Sequence, residues 1–377
     1  MPITISTHVS GHPRPLRRFT HTIAHGAIFS ALFVSSCATL PDTHRQLRNS
    51  STPALPQMVA ANGAMSKSSR SQVVGTMEGD SGRLEVLRRH LAREDAIIGS
   101  PLVAGNEVKL YLDGPTTYKA MFAAIAGAKN HIHIETYILD PDAVGQQLLD
   151  QLVKKQRQGV QVNLIYDSLG GLQTPDGFFS ELRAAGGQVV EFNPVNPLKS
   201  WWSWNLNQRT HRKLLIVDGQ IAFTGGINFS NVYSKSPFRS GRPPANAASI
   251  REHWRDTHIR IRGPVVGAFQ QIFIAAWKEQ GGPSLAAGRH YPPLAKQGQL
   301  FVRAINNSPA HDALTIYPVL LSAFQAAENT IQITVAYFAP DDGIMRALEA
   351  AARRGVQETA TRQPAPGIAD TRLFHSR

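Results

Sequence analysis

A histidine and a lysine two residues apart open a stretch that could transfer a phosphoryl group. His211 and Lys213 precede an apolar run and the pair Asp218-Gly219, which favours a tight β-hairpin. Side chains two apart on a strand project from the same face, so the imidazole and the ammonium would share one pocket. Imidazole can attack phosphorus near neutral pH, and the ammonium supplies charge for the non-bridging oxygens.

The predicted return strand leads into two glycines and an amide. Gly225 and Gly226 lack a Cβ and would let a ligand approach the backbone, while Asn228 offers a neutral hydrogen-bond donor. We therefore expect phosphate to be bound by Lys213, Gly225, Gly226 and Asn228. This chemistry requires no metal and no other cofactor.

The spacing His211-x-Lys213-x4-Asp218-x6-Gly225-Gly226-x-Asn228 resembles the signature of the phospholipase D superfamily. Over residues 106–356 the sequence is similar to bacterial cardiolipin synthases and phospholipase D-like enzymes, above all in THRKLLIVDG and WRDTHIRIRGP. The resemblance implies that His211 displaces an alcohol from a phospholipid and forms a phosphohistidine, with Lys213 and Asp218 as further catalytic residues. A second alcohol as acceptor would give phosphatidyl transfer, and water would give hydrolysis.

The resemblance also assigns an acidic partner to the nucleophile. Family members that pair this histidine with a carboxylate place the carboxylate on the strand after the motif, so Asp256 is expected to hold His211. The alternative is a surface carboxylate paired with Arg255 or Arg260. Asp218 has an alternative role too, because a turn aspartate can cap the backbone of its hairpin.

Two histidines and a glutamate alternate along the predicted strand HIHIETYIL. His131, His133 and Glu135 would share a face and could ligate a metal, but alternate strand residues splay apart, which favours a polar pocket edge instead. In the family an equivalent strand runs beside the active site. The resemblance therefore makes Glu135 and Tyr137 supporting neighbours of the reacting residues.

Strands alternate with helices along the chain, which predicts an α/β fold. We expect a mostly parallel sheet flanked by helices in a phospholipase D-like arrangement. The segment after Asn329 resembles the segment after Asn130, which indicates an internal duplication. The same separation places a counterpart of His211 beyond Arg377, and no strand pattern follows Val356. The fold is therefore expected to hold one complete domain and the start of a second repeat, through a truncation or a frameshift.

The pattern predicts six segments. They are a lipoprotein-type signal segment over 1–37, a flexible linker over 38–82, a first phospholipase D-like domain with the motif over 83–282, a linker over 283–299, an incomplete second domain over 300–356 and an aberrant tail over 357–377.

The amino terminus resembles an export signal. Arginines precede an uncharged, partly apolar stretch, and the only cysteine of the chain, Cys37, follows Val34-Ser35-Ser36 as in a bacterial lipobox. The resemblance implies lipidation of Cys37 and a lipid-anchored protein on the periplasmic side of a bacterial membrane. The alternative is a small buried thiol in a disordered leader.

The formal net charge of +12 favours an anionic partner, either a phospholipid surface or a nucleic acid. A predicted loop with Trp201, Trp202 and Trp204 could enter lipid headgroups, or it could pack in the core. The export signal and this loop favour lipid. Three alternatives stay open: a nuclease completed by homodimerisation, a noncatalytic lipid-binding remnant and an unrelated α/β domain.

Overall fold

The computed structural model describes residues 55–76, 83–195, 209–235, 254–285, 290–307, 315–335 and 338–362. The expected signal segment, Cys37 and the tryptophan loop lie outside these ranges. No helix within the described ranges is long and apolar enough to cross a bilayer.

The described elements alternate as an α/β chain. The strands are β1 (Met58–Ala60), β2 (Gly63–Ala64), β3 (Leu102–Tyr111), β4 (His131–Thr136), β5 (Gln161–Asp167), β6 (Gln188–Phe192), β7 (Leu214–Val217), β8 (Ile221–Gly225), β9 (His258–Arg262), β10 (Leu300–Val302), β11 (Thr330–Val335) and β12 (Gln357–Arg362). The α-helices are α1 (Lys67–Thr76), α2 (Arg83–Ile98), α3 (Gly114–Gly127), α4 (Ala143–Arg157), α5 (Ser180–Ala184), α6 (Val266–Glu279), α7 (Ile316–Ala326) and α8 (Asp342–Arg353).

The main sheet has the order β2-β1-β3-β9-β8-β7-β4-β5-β6, and β10 pairs with the outer side of β3. The predicted α/β fold with flanking helices is confirmed. Parallel pairing joins β4 to β5, β5 to β6 and β1 to β3, whereas β7, β8 and β9 pair antiparallel. The sheet is therefore more mixed than expected, because a tight turn between β7 and β8 leaves no room for a crossover.

Helix α4 shows how the local sequence sets the elements beside the site. The Asp142 carboxylate caps its start by accepting hydrogen bonds from the backbone N–H groups of Val144 and Gly145 at 2.9 and 3.1 Å. Its last turn carries three basic side chains, and the chain leaves it at Gly159 with φ 86°. The carboxylate cap and the glycine thus set the two ends of this helix.

Both faces of the sheet are covered by helices. Apolar side chains of β4 and β7, including Ile132 and Leu215, pack with α3, α4 and α5. The opposite face buries Ile216 against Phe273 of α6. The central strands are thus apolar on both faces, so the few polar side chains buried there stand out as candidates for function.

Residues 330–362 repeat the strand–helix–strand unit of the first domain. β11 and β12 pair in parallel around α8, as β4 and β5 do around α4, and Asp341 caps α8 as Asp142 caps α4. The expectation that no strand follows Val356 is wrong for residues 357–362. Their backbone extends in register with β11, whose Ile331 packs on α8.

Two expected boundaries also differ from the structure. Residues 58–76, expected within a flexible linker, form β1, β2 and α1, because Met58 and Val74 find apolar partners beside β3. Residues 300–302, expected in the second domain, form β10, which adds to the first sheet with Leu300 opposite Asn106.

Candidate active site

An open pocket of about 350 Å³ lies where the hairpin of β7 and β8 meets β9. It contains the histidine and the lysine that the sequence singles out. The lining residues are His211, Arg212, Lys213, Thr224, Gly225, Thr257, His258 and Ile259.

His211 is the exposed imidazole of this pocket. It precedes β7 in extended backbone, and its ring stands edge-on to Tyr137 with 4.9 Å between the ring centroids. Partial burial and the nearby ammonium of Lys213 lower the pKa of His211 below its usual value. The ring is therefore neutral near neutral pH, which is the nucleophilic form.

Lys213 supplies a buried cation beside this nucleophile. Its Nζ donates a hydrogen bond of 2.8 Å to the carbonyl oxygen of His211 and lies 5.2 Å from the centre of the Tyr137 ring. Burial lowers the pKa of Lys213 to about 8, while Asp256, Asp167 and Glu135 oppose the shift. The ammonium thus stays charged near neutral pH and has two further protons for a ligand.

Asp256 lies beside Lys213 and does not hold His211. No hydrogen bond joins Asp256 to His211 in the part of the chain that is described, and the carboxylate accepts one of 2.7 Å from the backbone N–H of Thr257. Burial raises the pKa of Asp256, against the pull of that hydrogen bond and of Lys213. The expected orienting role is corrected: this carboxylate acts electrostatically on Lys213.

Asp218 sits at the opposite end of β7 from His211, where it closes the hairpin. Asp218 and Gly219 have φ of 56° and 64°, as a primed hairpin turn requires. The carboxylate accepts hydrogen bonds from the backbone N–H groups of Lys129, Asn130 and His131 at 2.9, 2.7 and 3.0 Å. These contacts support the role of a hairpin cap for Asp218 over a catalytic role.

Asn228 does not point into the pocket. Its Oδ1 accepts a hydrogen bond of 3.0 Å from the N–H of Ile138, and its Nδ2 donates one of 3.2 Å to the Tyr233 hydroxyl. Both ends of this buried amide bind neighbouring backbone and side chain, and the residue does not line the pocket. It fixes the segment that carries Tyr137, and phosphate binding by Asn228 stays a prediction.

The two glycines allow close packing within the protein. A Cβ on Gly225 would lie 2.5 Å from the Thr257 carbonyl oxygen, and one on Gly226 would lie 2.1 Å from the Asp256 carboxylate. Of the two, Gly225 lines the pocket. The glycines therefore bring β9 and Asp256 against the hairpin, and only Gly225 is placed where a ligand could approach.

Known proteins are similar to this chain in sequence. Residues 121–235 match the family described as "Cardiolipin synthase, PLD-like domain". A cardiolipin synthase of Geobacillus kaustophilus is 33% identical over 68% of this chain and 49% of its own length. Cardiolipin synthase A of Pseudomonas entomophila is 34% identical over 68% of this chain and 50% of its own.

Residues 121–235 of the chain form a phospholipase D-like domain. The chain spans about half the length of the curated relatives it matches. The crystal structure of a phosphatidylserine synthase from Haemophilus influenzae has the same fold, with a TM-score of 0.50 and 14% identity over 71% of this chain and 64% of that one.

Glu135 supports this phospholipase D-like site from behind. The buried carboxylate accepts hydrogen bonds of 2.6 Å from the Thr210 hydroxyl and 2.9 Å from Arg212 Nε. It thereby holds the residues on both sides of His211. Glu135 and Tyr137 thus both contact residues of the His211 segment.

Asp167, the last residue of β5, is a supporting residue that the sequence analysis does not assign to the site. It is fully buried, and its carboxylate accepts hydrogen bonds from the backbone N–H groups of Leu169 at 2.9 Å and Thr210 at 3.2 Å. A carboxylate at the carboxyl end of a buried parallel strand was the available signal, since strand ends gather at active sites. It helps to fix the entry to His211.

His258 is a pocket residue that the sequence reasoning missed. Its side chain is 1% exposed, and neither ring nitrogen has a hydrogen-bond partner among the described residues. Burial and the charge of Lys213 lower its pKa to about 3, so the ring is neutral. The signal was its position two residues after Asp256, on a strand whose alternate side chains share a face.

Proposed function

We propose that this chain performs phospholipase D-type phosphodiester chemistry on phospholipids, transferring a phosphatidyl group as cardiolipin synthases do. The observation that carries the proposal is the neutral imidazole of His211 beside the charged Lys213 in one open pocket. The relatives of at least 30% identity described above, both named cardiolipin synthases, support phospholipids as substrates.

In the first step a nitrogen of His211 attacks the phosphorus of a phospholipid phosphodiester. The new P–N bond forms as the P–O bond to the leaving alcohol breaks, which gives a phosphohistidine. Lys213 stabilises the charge that develops on the non-bridging oxygens, and the hydrogen bonds of Thr210 and Arg212 to Glu135 keep the backbone around the nucleophile in place.

In the second step an acceptor hydroxyl attacks the phosphohistidine. The P–N bond breaks and the neutral imidazole is restored, while the acceptor gives its proton to the base that remains once the acid of the first step has protonated the leaving alkoxide. A phospholipid alcohol as acceptor gives transfer, whereas water gives hydrolysis. The leaving alkoxide of the first step must take a proton from an acid.

We propose that a second copy of this chain supplies that acid. The sequence holds a single His-x-Lys-x4-Asp motif, and two motifs around one site would provide one histidine as nucleophile and another as acid. A nuclease built in the same way is the alternative, since the charge of +12 suits nucleic acid as well as anionic lipid. The described pocket has no contact that favours nucleic acid over anionic phospholipid, or the reverse.

Membrane attachment is part of the proposal. The amino-terminal arginines, the uncharged stretch and Cys37 support export and lipid anchoring on the periplasmic side of a bacterial membrane. Incorporation of a labelled fatty acid into the full chain, but not into Cys37→Ser, is the expected result. Equal labelling of the two proteins would exclude anchoring at this cysteine.

The experiment for the catalytic proposal measures transfer from labelled phosphatidylglycerol in mixed micelles, with the full chain and His211→Ala compared. Mass in solution is determined in the same buffer. We expect labelled product from the parent chain, none from the variant, and activity that follows the dimer fraction. Equal product from His211→Ala would refute the assignment, and cleavage of single-stranded DNA without lipid turnover would favour the nuclease.

A further inference from the structure

Three histidines converge on the α6 side of the sheet, apart from the pocket of His211. His131 and His133 come from β4, and His290 comes from the segment that leads into β10. Their ring centroids are 4.5 Å apart for the first pair, 4.9 Å from His131 to His290 and 5.4 Å from His133 to His290. One nitrogen from each ring lies within 4.8 Å of the other two.

Two of these imidazoles are buried, and each has an Nε2 atom without a hydrogen-bond partner among the described residues. His131 and His133 are 1% and 0% exposed. A buried polar atom left without a partner destabilises the folded state. Two such atoms in a cluster with a third imidazole are a feature that a bound cation explains.

The cluster is separate from the pocket proposed for phospholipid chemistry. His131 begins β4 next to the turn aspartate Asp218, which accepts its backbone N–H. His290 is placed beside the same turn, since a Cβ on Gly219 would lie 2.7 Å from its carbonyl oxygen. His211 precedes the other end of β7, so the three imidazoles play no part in the chemistry described above.

We propose that His131, His133 and His290 form a binding site for a divalent transition-metal ion, with Zn²⁺ as the ion that fits best. Three imidazole nitrogens and one open position are a common tetrahedral set for Zn²⁺. With Zn–N bonds of about 2.0–2.1 Å, tetrahedral ligand nitrogens lie about 3.4 Å apart. The nitrogens, now within 4.8 Å of one another, would have to move closer by up to about 1.4 Å.

Gln270 of α6 would orient one of the ligands. Its side-chain amide lies 2.8 Å from Nδ1 of His133, and its Oε1 has no partner among the described residues. The two orientations of a glutamine amide exchange its oxygen and nitrogen. With Oε1 towards His133, the amide accepts Nδ1–H and leaves the Nε2 lone pair for the metal, as an outer partner does in histidine metal sites.

The site would fasten the segment of His290 to the sheet. Leu300 and Val302, ten and more residues further on, pair with β3, so the metal would anchor the other end of this connection to β4. A metal that binds the folded chain and not the unfolded chain stabilises the folded state. The proposed role is to stabilise this connection, with the fourth position of the metal open to water.

The test titrates the full chain, stripped of metal by a chelator, with Zn²⁺ in a calorimeter and follows thermal unfolding with and without Zn²⁺. His290→Ala removes the ligand nearest the surface, and Tyr291→Ala changes its exposed neighbour as a matched control. We expect one site per chain that His290→Ala weakens by more than about 100-fold, beyond the loss typical of an outer partner. Tyr291→Ala keeps the affinity of the parent.

Gln270 provides a second, independent variant pair. Gln270→Leu should weaken Zn²⁺ binding by about 10–100-fold, and Gln270→Glu should restore it, because a carboxylate accepts Nδ1–H more strongly. Zn²⁺ should raise the unfolding temperature of the parent and of Tyr291→Ala but not of His290→Ala. A parent chain that binds no Zn²⁺, or a His290→Ala variant that binds it as tightly as the parent, would overturn the proposal.

Discussion

The Tyr137 ring contacts both reacting groups of the pocket. It stands edge-on to the His211 imidazole, at 63° between the ring planes, and the Lys213 ammonium lies over its face. One side chain thus sets the distance between nucleophile and cation. The amide of Asn228 holds the N–H of Ile138, the residue that follows this tyrosine.

Replacing the aromatic ring should therefore reduce turnover more than replacing the hydroxyl. Tyr137→Leu is expected to lower kcat by about 10-fold, because it removes a cation–π contact worth about 1 kcal/mol and loosens His211. Tyr137→Phe keeps the ring and should retain most of the parent kcat. Steady-state transfer rates check this, and a Phe variant as slow as the Leu variant would show that the hydroxyl matters instead.

The rate should depend on pH through the two shifted groups. Protonation of His211 removes the nucleophile, and because its pKa is lowered, the acid limb should lie below the ordinary histidine value of 6.5. Loss of the Lys213 proton removes the cation, so the rate should fall as pH rises through about 8.

Lys213→Arg is the matched variant for this pH profile. Arginine stays charged across the range, so the variant should lose the basic limb even if its maximal rate is lower. The measurement is kcat/KM against pH for both proteins. A basic limb that persists unchanged in Lys213→Arg would assign it to another group.

Asp256→Asn tests whether this carboxylate serves Lys213 or His211. The carboxylate raises the pKa of Lys213, so its removal should move the basic limb to lower pH. The loss of kcat should stay below about 100-fold, since losing an aspartate that orients a catalytic histidine costs about 10⁴-fold in a serine protease. A loss of about 10⁴-fold in kcat, without a shift of the basic limb of the pH profile, would show that Asp256 orients His211 after all.

Asp218→Ala should affect stability and not chemistry. The variant loses a carboxylate that accepts three backbone N–H groups and places alanine at φ 56°, which together should cost about 2–4 kcal/mol of unfolding free energy. Asp218→Asn keeps an acceptor and tolerates this φ, so it should lose less. Urea unfolding gives the free energies, and a large fall in kcat of folded Asp218→Asn would argue for a catalytic role.

The sequence alone predicts the hairpin, the α/β class and the pairing of His211 with Lys213, because these follow from local spacing and turn chemistry. It does not predict which side chains the assembled sheet brings beside them. Glycines 225 and 226 signal close approach, but only the pairing of β8 with β9 shows that Asp256 and β9 fill that space.

Long-range contacts account for the remaining differences. His290 reaches His131 and His133 from a distant, proline-containing segment that has no regular period, so no local pattern reveals the cluster. Strand β12 is polar and reads as irregular, yet it gains a parallel partner in β11. In both cases contacts with residues distant in the sequence determine a structure that the local sequence does not specify.

The most direct test of the central claim is a search for phosphate bound covalently to His211. The full chain is mixed with a labelled short-chain phosphatidylglycerol, quenched at alkaline pH to preserve phosphohistidine, digested and analysed by mass spectrometry. We predict a phosphatidyl adduct on the peptide that contains His211, absent from His211→Ala and present in Tyr137→Phe. Substrate turnover in which a rapidly quenched parent chain carries no adduct, or carries it on another residue, would contradict His211 as the nucleophile.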